Sequence, residues 1–201
     1  MSISLEKGHK VNLIKHQNTL GEILINLNWN AKAPQQGFFK AIFSSEKPID
    51  LDLGCLYEMK DGRKGCVQAL GKHFGSLIKF PYISLDGDDR TGNVSTGENL
   101  RINGEQISSF KRILVYTFIY EGIANWKQAD GIVTIKYPKA EDLVIKMDIY
   151  DTSKKMCALA MLENVGDSTF SVEKIVNFYS GHQSMDKAFH WGMTWKPARK
   201  D

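Results

Sequence analysis

The chain has 201 residues, 42% of them hydrophobic and 24% charged, with a formal net charge of +3. This is enough apolar material for one full core, and no Pro-, Gly- or Ser-rich linker divides it, so a single domain over residues 1–201 is expected. The basic residues are scattered rather than gathered with aromatics, which gives no case for nucleic acid. A short basic tail from Lys196 to Lys200 reads as a solvated terminus.

The first ten residues lack the apolar core of a secretory signal, and no apolar run is long enough to span a bilayer. Cys55, Cys66 and Cys157 are odd in number and form no C-x-x-C pair, so free thiols in a reducing cytoplasm are expected.

Taken in chain order, the first clear element is Ile23, Ile25, Leu27 and Trp29 alternating with Leu24, Asn26 and Asn28, the period-two pattern of a strand with one buried face. Leu51, Leu53, Cys55 and Tyr57 repeat the pattern, with Asp50 and Asp52 on the other face. A short strand at residues 82–85 is followed by an acidic loop and a second short strand at residues 100–102. There Asn103-Gly104 reads as a two-residue hairpin turn. Residues 112–120 are β-branched and aromatic almost throughout, which predicts a central strand covered on both faces. Strands are expected at residues 133–137, 143–150, 156–165 and 170–178. One helix is expected from Ser184, as its cap, to Trp191, stopped by Gly192, with Met185, Ala188 and Phe189 on its docked face. The pattern predicts a mainly β, two-sheet β-sandwich with a short C-terminal helix.

The loop from Asp86 to Glu98 holds four acids, Asp86, Asp88, Asp89 and Glu98, against Arg90 alone. Calcium takes about six to eight oxygens at roughly 2.3–2.6 Å in a flexible cage. Carboxylates, the hydroxyl of Thr91 and glycine-freed carbonyls are oxygens of that kind. Asp, Gly, Asn and Thr are also ordinary turn formers, so composition alone leaves a plain surface turn open. An EF-hand is excluded, since counting from Asp86 places Arg90 fifth, Thr91 sixth and Gly97 twelfth. Asp50 and Asp52, two apart on a strand, place their Cα atoms about 7 Å apart on one face, a spacing that closes on one cation. Glu121, at the end of the central strand, adds another oxygen donor at the same rim.

Catalytic templates fail at the level of residue type: there is no G-x-S-x-G, P-loop, H-E-x-x-H or Rossmann glycine pattern. Ser108 and Lys111 match an isolated S-x-x-K without its companion motifs, and His182 with Asp186, followed by His190, is a nominal acid/base group on a short helix. The expectation is a binding protein without enzymatic activity. The alternative makes the same loop a divalent-metal site for phosphate hydrolysis, with an open coordination position that activates water.

Leu5-Glu-Lys-Gly8 with Val11 and Leu13, Leu27-Asn-Trp29, Asp50-Leu-Asp52-Leu, and Gly87-Asp-Asp-Arg-Thr-Gly92 occur in this order along the chain. With Gly97-Glu-Asn-Leu, Phe118-Ile-Tyr-Glu-Gly122, Asp130-Gly-Ile-Val-Thr-Ile135, Met156-Cys-Ala-Leu-Ala-Met-Leu-Glu163 and Gly192-Met-Thr-Trp195, they resemble the TerD/TerA family of tellurium-resistance and stress proteins, its TerA branch in particular. The resemblance implies a β-sandwich that binds Ca²⁺ through the acidic loop and the Asp-Leu-Asp strand. It also implies partners among other tellurium-resistance or membrane-associated stress proteins. On it, Asp88 stands at the first acid of the loop motif, Asp89 where Asn is usual, Thr91-Gly92 at the motif's Thr-Gly, and Glu98 at the acid that closes the loop. Asn93-Val-Ser-Thr96 replaces a strongly acidic run common in the family, so one well-formed calcium site is expected.

Overall fold

A computed structural model describes residues 2–15, 19–30, 49–87, 97–121, 125–148, 150, 151 and 153–198. Among these described residues the strands are, in chain order, β1 (Ser2–Ser4), β2 (Lys10–Asn12), β3 (Glu22–Asn28), β4 (Asp50–Met59), β5 (Lys64–Gln68), β6 (Gly75–Ser76) and β7 (Ile83–Leu85), then β8 (Glu98–Asn103), β9 (Phe110–Glu121), β10 (Ile132–Lys136), β11 (Asp142–Lys146), β12 (Met156–Val165) and β13 (Thr169–Tyr179). Helix α1 (Trp126–Ala129) lies between β9 and β10, and α2 (His182–Ala188) follows β13.

The strands form a seven-stranded sheet in the order β1-β11-β10-β3-β8-β7-β6 and a six-stranded sheet in the order β2-β13-β12-β9-β4-β5. The sheets face each other as the alternation requires. Ile23, Ile25, Leu27, Leu100, Ile102, Val133 and Ile135 of the first meet Leu51, Leu53, Cys55, Ile113, Val115 and Leu159 of the second in one core. Each such aliphatic side chain contributes about 1.5–3 kcal/mol by burial, before the loss of chain entropy is set against it.

A second apolar layer lies on the outer face of the six-stranded sheet. Leu56, Leu114, Tyr116, Phe118, Met156 and Met161 are covered there by Met185 of α2 and by Trp191. This cover is why β4 is buried at all ten positions and why β9 reads as apolar on both faces. The cover is fastened at its far end by cations and an indole. Arg112 donates to the Phe189 carbonyl at 3.0 Å, Lys64 to the Trp191 carbonyl at 2.7 Å, and the Trp191 indole to the Tyr57 carbonyl at 3.2 Å.

Three sequence expectations are corrected. Asn103-Gly104 does not turn a hairpin: β8 passes into a 3-10 turn at Gly104–Ser109, and the chain crosses to the other sheet as β9. The Asn103 side chain accepts from the Glu105 N–H. At Gly104 a Cβ would stand 2.3 Å from the Gly21 carbonyl oxygen, so close approach rather than a tight turn requires glycine. Helix α2 begins two residues before Ser184, whose hydroxyl accepts from the Gly181 N–H as the third helical residue instead of as the cap. Ala188 of the expected docked face is exposed. The strand expected over residues 143–150 ends at Lys146.

Candidate cation site at the acidic rim

Asp50 and Asp52 open β4. Leu51 and Leu53 between and beyond them enter the core, so the two acids take the opposite face, as the alternation predicted. The chain entering β4 is held by Trp29, whose indole donates to the Ile49 carbonyl at 3.0 Å. Asp50 pairs with Glu121 across the β4–β9 ladder, where the register slips by one residue between Asp50 and Leu51. Asp50 is 6% exposed and Asp52 fully buried, while Glu121 is exposed.

Glu98 reaches the same rim from the other sheet. It is the first residue of β8 and 2% exposed, and its Oε2 accepts from the Leu53 N–H at 2.6 Å. β5 pairs with β4 only from Gly54 onward, so the Leu53 N–H lies beyond the end of that ladder and the carboxylate takes it up. An amide chain steadies the start of β8: Asn28 donates to Asn26 at 2.7 Å, and Asn26 to Asn99 at 2.8 Å. Gly97, just before it, has φ 63°, and a Cβ there would meet the Leu27 carbonyl oxygen at 2.1 Å.

Asp86 is differently occupied. Both its carboxylate oxygens accept from Arg101, at 2.6–2.8 Å, and Arg101 also pairs with Glu22. Asp86, then Glu22, holds the guanidinium well above its usual pKa. This bidentate clasp fixes the point where the chain leaves β7 for the acidic loop.

Asp88, Asp89 and Thr91 lie outside the described residues. Among the described residues, no three His, Cys, Asp or Glu side chains group closely enough to hold a metal ion by themselves. The donor chemistry is nevertheless uniform. Asp50, Asp52, Glu98 and Glu121 offer oxygen alone, and that set suits a hard cation such as Ca²⁺ or Mg²⁺ rather than zinc or copper.

Beside the rim, on the outer face of the six-stranded sheet, lies a buried polar junction that the sequence did not suggest. The Tyr116 hydroxyl donates to Gln68 Oε1 at 2.6 Å, and His182 Nε2 meets the same oxygen at 2.8 Å, so His182 carries its proton on Nε2. His182 rests edge-on against Tyr116 and Phe118 and lies against Trp195 with centroids 4.7 Å apart. Burial lowers its pKa to about 4. The nominal acid/base pair is not assembled: Asp186 accepts from the N–H groups of Gly192 and Met193 and from the Trp195 indole. Lys111 is bonded to Glu58. The thiols of Cys55 and Cys157 are pushed up by burial, and that of Cys66 to about 11, which disfavours thiolate chemistry. Among the described residues no helix is long and apolar enough to cross a membrane.

A family model described as the TerD domain matches residues 1–137. The chain is 40% identical over 200 residues to the tellurium resistance protein TerA of Alcaligenes sp., covering all of this chain and 58% of that protein. It is 30% identical over 139 residues to the tellurium resistance protein TerX of Serratia marcescens, covering 61% of this chain and 64% of TerX. With the stress response protein SCP2 of Bacillus subtilis (strain 168) it shares 25% identity over 146 residues, 71% of this chain and 72% of the other. The chain thus spans less than two thirds of the length of the first two relatives. In fold it is similar to the crystal structure of a homologue of a telluride resistance protein (TerD) from Streptomyces coelicolor A3(2), with a TM-score of 0.55 at 16% identity, covering 83% of this chain and 95% of that one.

Proposed function

Because the chain belongs to the TerD family of tellurium-resistance and stress-response proteins, we propose that it is a calcium-binding, non-enzymatic interaction module of that response, acting in the cytoplasm. The observation that carries this reading is the meeting of Glu98 from one sheet with the Asp50–Asp52 end of β4 from the other, at the mouth of the acidic loop. Asp50, Asp52 and Glu98 would hold the ion from the strands, with Glu121 at the margin and Asp88, Asp89 and Thr91 from the loop. Asp86, clasped by Arg101, anchors the loop instead of serving as a donor.

A bound divalent cation supplies positive charge that lets buried carboxylates stay ionised together. The protein's own part is to bring acids from two sheets to one rim, so that filling the site fastens the sandwich at that end and orders the surface offered to a partner. Other proteins of the tellurium-resistance or membrane-associated stress response are the partners proposed.

Calorimetric titration with Ca²⁺ and with Mg²⁺, repeated on Asp50→Ala and Asp88→Ala, tests the reading. Calcium heat that weakens in both variants is expected. The absence of heat at millimolar calcium would sink it, and metal-dependent turnover of a phosphate ester by the wild-type chain would overturn its non-enzymatic part.

A further inference from the structure

Along one margin of the six-stranded sheet the pairing stops short. Among the described residues β2 pairs with β13 only over residues 171–173, although β13 runs on to Tyr179. The Gly8 N–H closes that pairing on the Lys174 carbonyl at 3.0 Å, which brings the adjoining Lys7 beside Val176 and Asn177. There β13 is bulged: Ala158 faces Asn177 and Ala160 faces Lys174, so Ile175 and Val176 stand opposite Leu159 alone. Val176 takes φ 45°, a left-handed conformation that β-branched residues rarely adopt. Strain of this kind persists where the surrounding structure imposes it, and ligand sites are among the places where it gathers.

What the strained bulge delivers is a fixed cation. Lys7 donates to Asn177 Oδ1 at 2.8 Å and to the Val176 carbonyl at 3.3 Å, both neutral acceptors, and among the described residues no carboxylate pairs with it. Its ammonium is pinned without being neutralised, and the third of its N–H groups is left over. A second ammonium comes from Lys154, whose carbonyl accepts from the Trp126 indole at 2.7 Å and whose Nζ pairs with Asp151 at 3.1 Å. The acids nearby are already engaged. Asp151 accepts from the Ser153 N–H at 3.0 Å and from the Ser153 hydroxyl at 2.6 Å, and Asp148 pairs with the buried Lys174 at 2.8 Å. Tyr179 joins the two lysines: burial raises its pKa, while the Asn177 side chain and the charge of Lys154 act against the rise.

Lys7, Tyr150, Lys154, Asn177, Phe178 and Tyr179 line an open cavity of about 590 Å³, within the size range of small-molecule sites. Its rings are held in place. Phe178 lies 5.3 Å from Trp126 and Tyr179 lies 5.9 Å from Phe189 between centroids, while Tyr150 is 37% exposed. We infer that this cavity binds a small phosphate monoester, its phosphoryl oxygens taken by Lys7 and Lys154 and its organic group laid against Tyr150 and Tyr179. A phosphate offers several oxygens at once to N–H donors arriving from two segments of the chain, and lysine meets it as a point charge. The pinned Lys7 side chain has little freedom left to lose on binding it. The site uses none of Asp50, Asp52 and Glu98 and is independent of the cation reading.

Calorimetric titration of the full chain in chelator, with inorganic phosphate and with phenyl phosphate as probes, tests this without calcium. Phenyl phosphate is expected to give saturable heat and to bind more tightly than inorganic phosphate. Lys7→Gln and Lys154→Gln should each weaken it by about tenfold or more, the loss of a hydrogen bond between charged groups. Lys136→Gln, on an exposed position of the other sheet, should leave it unchanged. Asn177→Ala keeps both charges and releases Lys7, so its loss should be smaller than that of Lys7→Gln. Binding that survives both lysine variants, or that Lys136→Gln weakens as much, overturns the inference, as does the absence of heat at millimolar phenyl phosphate. Equal affinity for the two probes overturns the part given to the rings. With calcium chelated throughout, each of these outcomes leaves the cation reading where it stood.

Discussion

Glu98 accepts a hydrogen bond from the Leu53 N–H at 2.6 Å, so a side chain of one sheet completes the backbone of the other. The bond lies just beyond the end of the β4–β5 ladder, on the side of Leu53 that faces away from its β9 partner Thr117. Glu98 therefore has a folding role that is present without any ion, and the proposed cation role is added to it.

Replacing Glu98 by Ala separates the two. Losing a hydrogen bond to a charged group and leaving a buried N–H without an acceptor costs about 1.5–3 kcal/mol. Melts in chelator should show the variant destabilised by that amount. A ligand bound only by the folded state raises the midpoint. The rise that calcium gives the wild type should shrink or vanish in the variant, and a full calcium-dependent rise in the variant would remove Glu98 from the site.

Gly97 is required by its backbone and by the space around it. At φ 63° an L side chain is disfavoured by roughly 1–2 kcal/mol. A Cβ at 2.1 Å from the Leu27 carbonyl oxygen cannot be relieved by rotating a side chain. Gly97→Ala should be destabilised by more than the conformational cost alone and should swing Glu98 away from Leu53. The check is reduced or lost protection of the Leu53 amide, seen as faster hydrogen exchange, and an unchanged Leu53 amide would contradict it.

Thr117 makes the opposite prediction. It is fully buried in the middle of β9, between Leu53 and Cys157 in the ladder, and its hydroxyl has no hydrogen-bond partner among the described residues. A hydroxyl buried in this way costs about 1–3 kcal/mol, and valine has nearly the same shape. Thr117→Val should raise the denaturant midpoint without altering the slope. A drop would mean that the hydroxyl has a partner.

The strands that sequence located best are those whose pattern has one cause. β3 alternates because one of its faces meets the core and the other meets solvent, and residues 112–120 are apolar throughout because a sheet core lies below them and the C-terminal cover above. Asp50, Asp52 and Glu98 were legible as an acidic set by residue type and by family motif. That Glu98 comes to β4 from the opposite sheet was not, because it depends on β8 and β4 belonging to different sheets, and the hairpin expected at Asn103-Gly104 would have placed β8 and β9 side by side. Asn-Gly favours a tight turn only where nothing packs on the glycine, and here the Gly21 carbonyl does. The ion pair of Asp86 with Arg101 and the junction at Gln68 were illegible for the same reason, since both join residues through strand register rather than spacing in the chain.

The last prediction concerns pH and tests the junction at Gln68. His182 is held near pKa 4 in the fold by burial, against about 6.5 for an exposed imidazole. Between those values the unfolded chain binds a proton that the folded chain does not. The contribution of His182 to stability is therefore complete above about pH 6.5, falls as pH drops toward 4, and levels off below it. Across that window the loss amounts to about 3 kcal/mol. Other groups titrate in the same range, so the decisive quantity is the difference between the wild type and His182→Gln. Urea midpoints measured from pH 7.5 to pH 4.5 should converge as pH falls, because the variant lacks the imidazole whose protonation penalises the wild type. Midpoints that stay a constant distance apart would show that His182 titrates alike in the folded and unfolded chain, and that the packing of Tyr116, Phe118 and Trp195 around it does not exclude the charged ring.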